Sequence, residues 1–220
     1  MKTEELLHTA LFQGLSTEEI ESALRALSGM ERRYRKEEIL LHAGTAAPRM
    51  GLVLAGSVTI ESNDLWGNRT LLSHAESGQC FAESYALLPG EPMPVDVVAN
   101  ADCHVLFLNL GGLHAAHAPW ARQLTENLLR ISARKNQALS ARSFHTAPKG
   151  VRGRIMAYLN TCSLQARSTA FDIPLDRQQL ADYLGLDRTA LSKELGRMGR
   201  EGLIAFRKNH FEILKNAETA

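Results

Sequence analysis

Apolar residues change their spacing twice along the chain, which divides the sequence into three regions. Helical spacing predicts helices over residues 3–11 and 16–28, and Ser16 with Glu19 forms a capping box at the start of the second. Between residues 31 and 108, short apolar runs alternate with Gly, Pro and Asn, which is typical of a β-roll or sandwich. The expected strands are 39–42, 50–54, 57–61, 69–74, 95–99 and 104–108.

Helical spacing returns over residues 119–141, where one face repeats at alternating steps of four and three. Its members are Leu124, Leu128, Ile131, Lys135 and Ala138. This is the spacing of a coiled-coil seam of about two heptads, with one Lys in it. Such a seam can pack on the roll, or it can pair with a second copy across a two-fold axis. A hinge is expected at residues 144–148, followed by a helix over 151–162.

The last region carries the local signals of two short helices joined by a tight turn. Asp176 and Asp187 are suited to cap the two helices, and Gly185 can adopt the left-handed conformation that ends the first. In the second helix, Leu191, Leu195 and Met198 share one apolar face. Strand-like residues 203–206 and 211–214 then flank a basic turn. This layout predicts a winged helix-turn-helix, in which the second helix lies in the DNA major groove.

Polar side chains of this region are the candidate DNA contacts. Four of them lie in the first turns of the second helix, where such helices meet base edges: Arg188, Thr189, Ser192 and Lys193. Arg207 and Lys208 in the basic turn are candidate phosphate contacts. The same two-helix pattern also occurs in all-α domains that do not bind DNA, so charge matters. Residues 149–220 have 12 Lys/Arg and 8 Asp/Glu, net +4, whereas residues 1–148 are net −3, which favours nucleic acid as the partner.

The composition limits which classes of protein the chain can belong to. With 45% hydrophobic and 22% charged residues in 220, the chain is typical of a soluble globular protein of one or two domains. An apolar run of membrane-spanning length and a signal-peptide core are both lacking, so we expect a cytoplasmic protein with no membrane partner.

Residues that could carry chemistry do not form a diagnostic motif. Cys80, Cys103 and Cys162 are odd in number and widely spaced, so we expect small, partly buried side chains, with a Cys80–Cys103 redox pair as the alternative. His104, His114 and His117 could ligate a metal or haem, but exposed polar residues are the simpler interpretation. Neither a catalytic arrangement nor a P-loop is present, so we predict no catalytic residues, no metal site and no resident cofactor.

The ordered set of motifs resembles the cyclic-AMP receptor/fumarate-nitrate regulator (CRP/FNR) family of bacterial transcription factors. The similar segments are LFQGLS at 11–16, Ile39-Leu40 with Gly44, LAGSV at 54–58, GQCFAE at 78–83, RQQLA at 177–181 and RTALSK at 188–193. The resemblance implies an α+β chain. It would have a cyclic-nucleotide-binding-like β-roll with N-terminal helices (1–118), a long dimerisation helix and hinge (119–145) and a winged helix-turn-helix (146–220).

The resemblance also implies a dimer that binds a two-fold symmetric operator and is gated by a small effector held between the roll and the long helix. RNA polymerase is implied as a further partner. Arg177 and Gln178 match family positions that contact DNA phosphates; alternatively they form a solvated helical turn. In the recognition helix, Thr189 stands where many relatives have Glu, so the family's usual half-site is not expected.

Departures in the effector region argue against cyclic AMP. A cyclic phosphate in a closed pocket needs an Arg and hydroxyl or amide donors, but Met93 and Pro94 occupy those positions. Glu83, the position that holds the ribose in cyclic-AMP binders, is present, but it can also serve as an acceptor for backbone amides. Trp66 and Arg69 could meet an aromatic or anionic ligand, or could belong to a hairpin with a packed Trp. The candidate pocket consists of Glu83, Ser84, Met93, Pro94, Trp66, Arg69 and Asn127.

Two functions of different class are compatible with the sequence. The first is a dimeric DNA-binding regulator gated by an unidentified effector. The alternative is a ligand-binding sensor whose helix-turn-helix serves protein contacts rather than DNA. An enzyme is a distant third.

Overall fold

The computed structural model of the chain describes residues 3–63, 69–88, 90–113 and 116–214, with side chains for all of these except residues 63 and 69–71. The chain forms two compact units, residues 1–133 and 134–220. Among the described residues, no helix combines the length and the apolar character needed to cross a bilayer.

The first unit contains two short sheets and the helices that precede and follow them. Its helices are α1 (Thr3–Leu6), α2 (Thr17–Ala26), α3 (Glu83–Leu87), a 3₁₀ turn (Leu110–Leu113) and the first half of α4 (Pro119–Thr146). Its strands are β1 (Met30–Tyr34), β2 (Ile39–Leu41), β3 (Met50–Ala55), β4 (Ser57–Asn63), β5 (Arg69–Glu76), β6 (Cys80–Phe81), β7 (Asp96–Ala99) and β8 (Cys103–Leu108). The sheet orders are β1-β8-β3-β6 and β2-β7-β4-β5, and every pairing is antiparallel.

The sheet that contains β3 and β8 is buried on both faces. Since successive strand residues point to opposite sides, Val53 and Val105 face the core between the two sheets, whereas Leu52 and Leu106 face a second core. That second core is formed with α1, α2 and α4. This double burial explains why the runs 52–54 and 105–108 are continuously apolar rather than alternating.

The second unit is a small helical core with a three-stranded sheet. Its elements after α4 are α5 (Val151–Ala166), β9 (Ala170–Asp172), α6 (Arg177–Leu184), α7 (Arg188–Arg200), β10 (Ile204–Arg207) and β11 (His210–Ile213). The sheet order is β10-β11-β9. The three helices bury one apolar core together with the sheet.

The predicted helix ends are confirmed where the signal is local. Ser16 and Glu19 form the capping box of α2, and Asp176 forms a second box with Gln179 at the start of α6. Asp187 accepts two backbone amides of α7, and Gly185 adopts φ +61°.

Other boundaries differ from the sequence predictions. The first helix ends at Leu6 instead of residue 11, and the long helix continues to Thr146 instead of 141. β1 is not predicted by the sequence pattern, because three of its five residues are charged; in the structure it pairs with β8. The short elements β6, α3 and β9 were also missed, since each has too few residues to show a period.

Gly56, between β3 and β4, is a position where only glycine fits. It has φ +78°, and a Cβ there would lie 2.3 Å from the Asp102 carbonyl oxygen and 2.8 Å from Cys103 Cβ. Gly44 has nearly the same φ, +77°, but open space around it. A Cβ at Gly44 would therefore meet only an unfavourable backbone conformation, whereas a Cβ at Gly56 would meet the same conformation and a steric clash.

We expect Gly56→Ala to destabilise the protein more than Gly44→Ala does. Both variants place a Cβ in the left-handed region, which lowers the free energy of unfolding by about 1–2 kcal/mol. Only Gly56→Ala adds a steric clash, which lowers it by about 1–3 kcal/mol more. Urea unfolding followed by Trp fluorescence measures the difference in midpoint. Equal shifts for the two variants would show that the Gly56 contact is unimportant.

Candidate nucleic-acid interface and effector site

The exposed face of α7 carries the predicted base-reading residues. Arg188, Thr189, Ser192 and Lys193 are all exposed. Leu191, Leu195 and Met198 are fully buried against α5, α6 and the sheet. The Asp187 carboxylate accepts the amides of Thr189 (2.8 Å) and Ala190 (3.0 Å), which fixes where the helix begins. The four polar side chains therefore project from the first two turns of a helix whose other face is anchored.

A charged cluster ties α7 to α5 from the side. Arg152 donates to Glu194 (Nε–Oε1 2.6 Å) and to Glu201 (Nη1–Oε2 2.8 Å), and Arg197 also donates to Glu201 at 2.9 Å. These bonds lower the pKa of Glu201 and raise that of Arg152, so each partner favours the charged form of the other. No sequence pattern indicates this cluster, because Arg152 lies 42 residues from Glu194 along the chain.

Strands β10 and β11 form the wing, with the two-residue turn Lys208-Asn209 between the paired residues Arg207 and His210. Arg207 and Lys208 are exposed, and Lys208 has φ +54°. The wing is thus the expected basic turn.

Arg177 at the start of α6 contacts the wing. Its guanidinium carbon lies 5.3 Å from the Phe206 ring centre and 5.7 Å from that of Phe211, and Nη2 donates to the Lys208 carbonyl at 3.3 Å. Burial lowers the pKa of Arg177. The neighbouring Gln178 is exposed and donates to Asp182. Of the pair predicted to hold phosphate, Arg177 is thus already engaged with the wing.

The start of α3 and the segment before β7 come together in the first unit. Glu83 opens α3 and is only 4% exposed. Met93 is 1% exposed and packs with Ala47 and Val95 against Ala82 and Tyr85. Ser84 and Pro94 are exposed, and a shallow cavity of about 530 Å³ is lined by Ser84, Tyr85, Leu88 and Glu91. The position that the family resemblance assigns to the phosphate-binding Arg is therefore occupied by a buried apolar side chain, Met93.

The side chain of Asn127 is fully used in hydrogen bonds that stabilise the first unit. Its amide nitrogen donates to the carbonyls of Leu11 (2.9 Å) and Gln13 (2.8 Å), and its oxygen accepts from Gln123 at 3.1 Å. Both amide hydrogens are therefore used to hold the N-terminal segment against α4. Trp66 lies outside the described residues. Arg69 belongs to β5, but its side chain is outside the described set.

The cysteine and histidine alternatives gain no support. Cys80 on β6 and Cys103 on β8 are separated by β3 in the sheet, that is by two strand spacings or about 9.6 Å. A disulfide needs Cα atoms within about 7 Å. His104 pairs with Glu31 at 2.9 Å, His117 is exposed and His114 lies outside the described residues. Among the described residues, no group of His, Cys, Asp and Glu is arranged to hold a metal ion.

Comparison with known proteins covers both units. Residues 31–118 match the cyclic nucleotide-binding domain family, and residues 153–218 match the Crp-like helix-turn-helix domain family. The chain is 25% identical to the cAMP-activated global transcriptional regulator CRP of Haemophilus influenzae over 179 residues, 78% of each chain.

Two solved structures share the fold. A structure of CprK in complex with OCPA superposes with a TM-score of 0.66 at 15% identity, covering 90% of this chain and 92% of that one. A CooA mutant from Carboxydothermus hydrogenoformans gives 0.61 at 17% identity, covering 98% and 92%. With the effector-type domain and the helix-turn-helix matched in this order, the chain belongs to the CRP/FNR family of transcription regulators.

Proposed function

We propose that the protein is a cytoplasmic, dimeric transcription regulator that binds a two-fold symmetric operator through α7 and is gated by a small effector other than cyclic AMP. One observation carries the proposal: the four exposed side chains in the first two turns of α7, Arg188, Thr189, Ser192 and Lys193, are all polar or basic, while Leu191 and Leu195 on the opposite face are fully buried. The family supplies the regulatory role, and RNA polymerase is the expected protein partner.

In this proposal, α7 reads bases and the wing contacts the backbone. Arg188 is placed to bind guanine O6 and N7, Lys193 offers a second cation, and Thr189 and Ser192 make weaker polar or methyl contacts. Arg207, Lys208 and Gln178 contact phosphates. Arg177 acts mainly through the wing, because its guanidinium already stacks on Phe206 and Phe211.

The effector site is proposed around Glu83, Ser84, Met93 and Pro94, with Trp66 and Arg69 as further candidates. The apolar packing of Met93 supports a ligand without a buried phosphate, because a desolvated anion needs a fixed cation. Asn127 is left out of this site, since its amide hydrogens are used by Leu11 and Gln13.

The dimer seam is proposed on a face of α4 next to the one expected from the sequence. Leu124 and Leu128 are buried in the core of the first unit, so these two residues are not available to a second copy, and Ile131 is partly buried against the same core. Lys135 and Ala138, on the same predicted seam, are exposed. Leu129 and Leu139 are 65% and 69% exposed, and with Ser132 and Asn136 they repeat at steps of three and four.

Selection from randomised duplexes with the purified protein tests the function, and Arg188→Ala tests the assignment within it. We expect a symmetric motif, and an affinity loss of about 1–3 kcal/mol for Arg188→Ala with relaxed preference at one base pair per half-site. The matched control is Arg200→Ala, which removes an exposed Arg from the last turn of the same helix. Unchanged affinity and preference in Arg188→Ala would remove this residue from base readout.

Leu139→Lys is expected to weaken the dimer, because it places two cations in the proposed seam. Sedimentation equilibrium should show a dissociation constant raised at least about tenfold, or about 1.4 kcal/mol. Ala138→Lys is the control, since it adds the same cation on the face predicted from the sequence alone. A larger effect of Ala138→Lys than of Leu139→Lys would favour that original seam.

A further inference from the structure

The end of α4 is bound to the end of α6 by the side chain of Arg142. Its Nε donates to the Tyr183 carbonyl at 3.0 Å and its Nη2 to the Asp182 carbonyl at 3.1 Å, and the guanidinium lies 5.8 Å from the Tyr183 ring centre. The last carbonyls of a helix lack amide partners within it and carry partial negative charge. A guanidinium is therefore well matched to this helix end.

Arg154 completes the same site from α5. Its Nη1 donates to the Leu184 and Gly185 carbonyls, both at 3.1 Å, and its Nε donates to the Pro148 carbonyl at 2.9 Å. The two guanidinium groups thus donate hydrogen bonds to four successive carbonyls, 182–185. Arg154 also donates to the segment between α4 and α5. Pro148 packs closely on α5: a Cβ added at Gly153 would lie 2.8 Å from the Cβ of Pro148.

His145 fixes the last turn of α4 from a third side and is 3% exposed. Its Nε2 lies 2.8 Å from Thr161 Oγ1, and its Nδ1 lies 3.0 Å from the Tyr183 hydroxyl oxygen. Because Thr161 already donates to the Ala157 carbonyl, it accepts from His145 Nε2, and Tyr183 then donates to Nδ1. Burial lowers the pKa of His145, in keeping with a neutral ring.

The predicted hinge at residues 144–148 is therefore not a free connection. Ala147 donates to the Ser143 carbonyl at 2.9 Å, continuing the hydrogen bonding of α4. Phe144 apart, which is exposed, this stretch is held by α5 and α6. The whole arrangement belongs to the second unit, so the end of α4 is part of the DNA-binding domain.

We propose that Arg142 and His145 are positioning residues that lock the helix-turn-helix to the end of α4, so that α4 itself sets the orientation of α7 toward the operator. This inference rests on the proposed function. It also gives the two residues a role that differs from holding the fold together. If the lock is broken, each domain can still fold and touch DNA, but the two half-sites no longer need a fixed separation.

Binding to operators with altered half-site spacing distinguishes a role in orienting α7 from a role in stabilising the fold. One inserted or deleted base pair rotates a half-site by about 35° around the duplex axis. We expect the unsubstituted protein to lose at least about tenfold in affinity for such operators, and Arg142→Gln to lose less than about threefold, because a loosened domain adapts. Tyr183→Phe, which removes only the hydroxyl on His145, should lie between them. Arg134→Gln, an exposed Arg on the same helix, should behave like the unsubstituted protein.

A merely structural role would lower affinity for all spacings alike, leave the spacing preference intact and so overturn the proposal. Retained spacing preference in both Arg142→Gln and Tyr183→Phe, or none in the unsubstituted protein, would also overturn it. Failure to bind any symmetric duplex would instead refute the proposed function. Hydrogen exchange then tests the lock alone: the Ala147 amide should be protected in the unsubstituted protein and exchange faster in Arg142→Gln. Free exchange of this amide in the unsubstituted protein would overturn the lock.

Discussion

The anchoring of α7 by its buried stripe is the constraint on which the rest of the second unit depends. Leu191, Leu195 and Met198 are fully excluded from solvent, and truncating such a side chain to Ala typically costs about 2–5 kcal/mol. That burial fixes the rotation of the helix about its axis. The polar face is then presented to solvent. The Asp187 cap fixes where the helix begins, and Arg152 ties the helix to α5 from the side.

Arginines join the wing and the end of α4 to α6, the helix that packs against α7. Arg177 holds the wing through two aromatic rings and a carbonyl, whereas Arg142 and Arg154 hold the carbonyls at the end of α6. Planar guanidinium groups suit both tasks, since they stack on rings and donate several hydrogen bonds in fixed directions. The basic character of the C-terminal third thus has two origins. Some arginines build the domain, and others, such as Arg188 and Arg207, remain exposed.

The sequence could predict what local signals determine. The caps at Ser16, Asp176 and Asp187, the turn at Gly185 and the buried stripe of α7 each depend on residues within a few positions of one another. The Asn127 contact with Leu11, 116 residues away, depends on tertiary packing and has no local pattern. The same holds for Arg177 with the wing. For α4, the heptad spacing was compatible with packing on the roll or with pairing to a second copy, and spacing alone could not show that Leu124 and Leu128 face the core of the first unit.

The salt dependence of binding to the best selected duplex tests the central claim most directly. A regulator that reads DNA through α7 and neutralises phosphates with its wing should show log affinity falling linearly with log salt, by about 0.9 for each phosphate contacted. We expect a slope that corresponds to several phosphates per dimer, together with strong preference for the symmetric sequence. Affinity that is weak, sequence-independent and unaffected by salt would contradict the account, and would favour a helix-turn-helix that serves protein contacts.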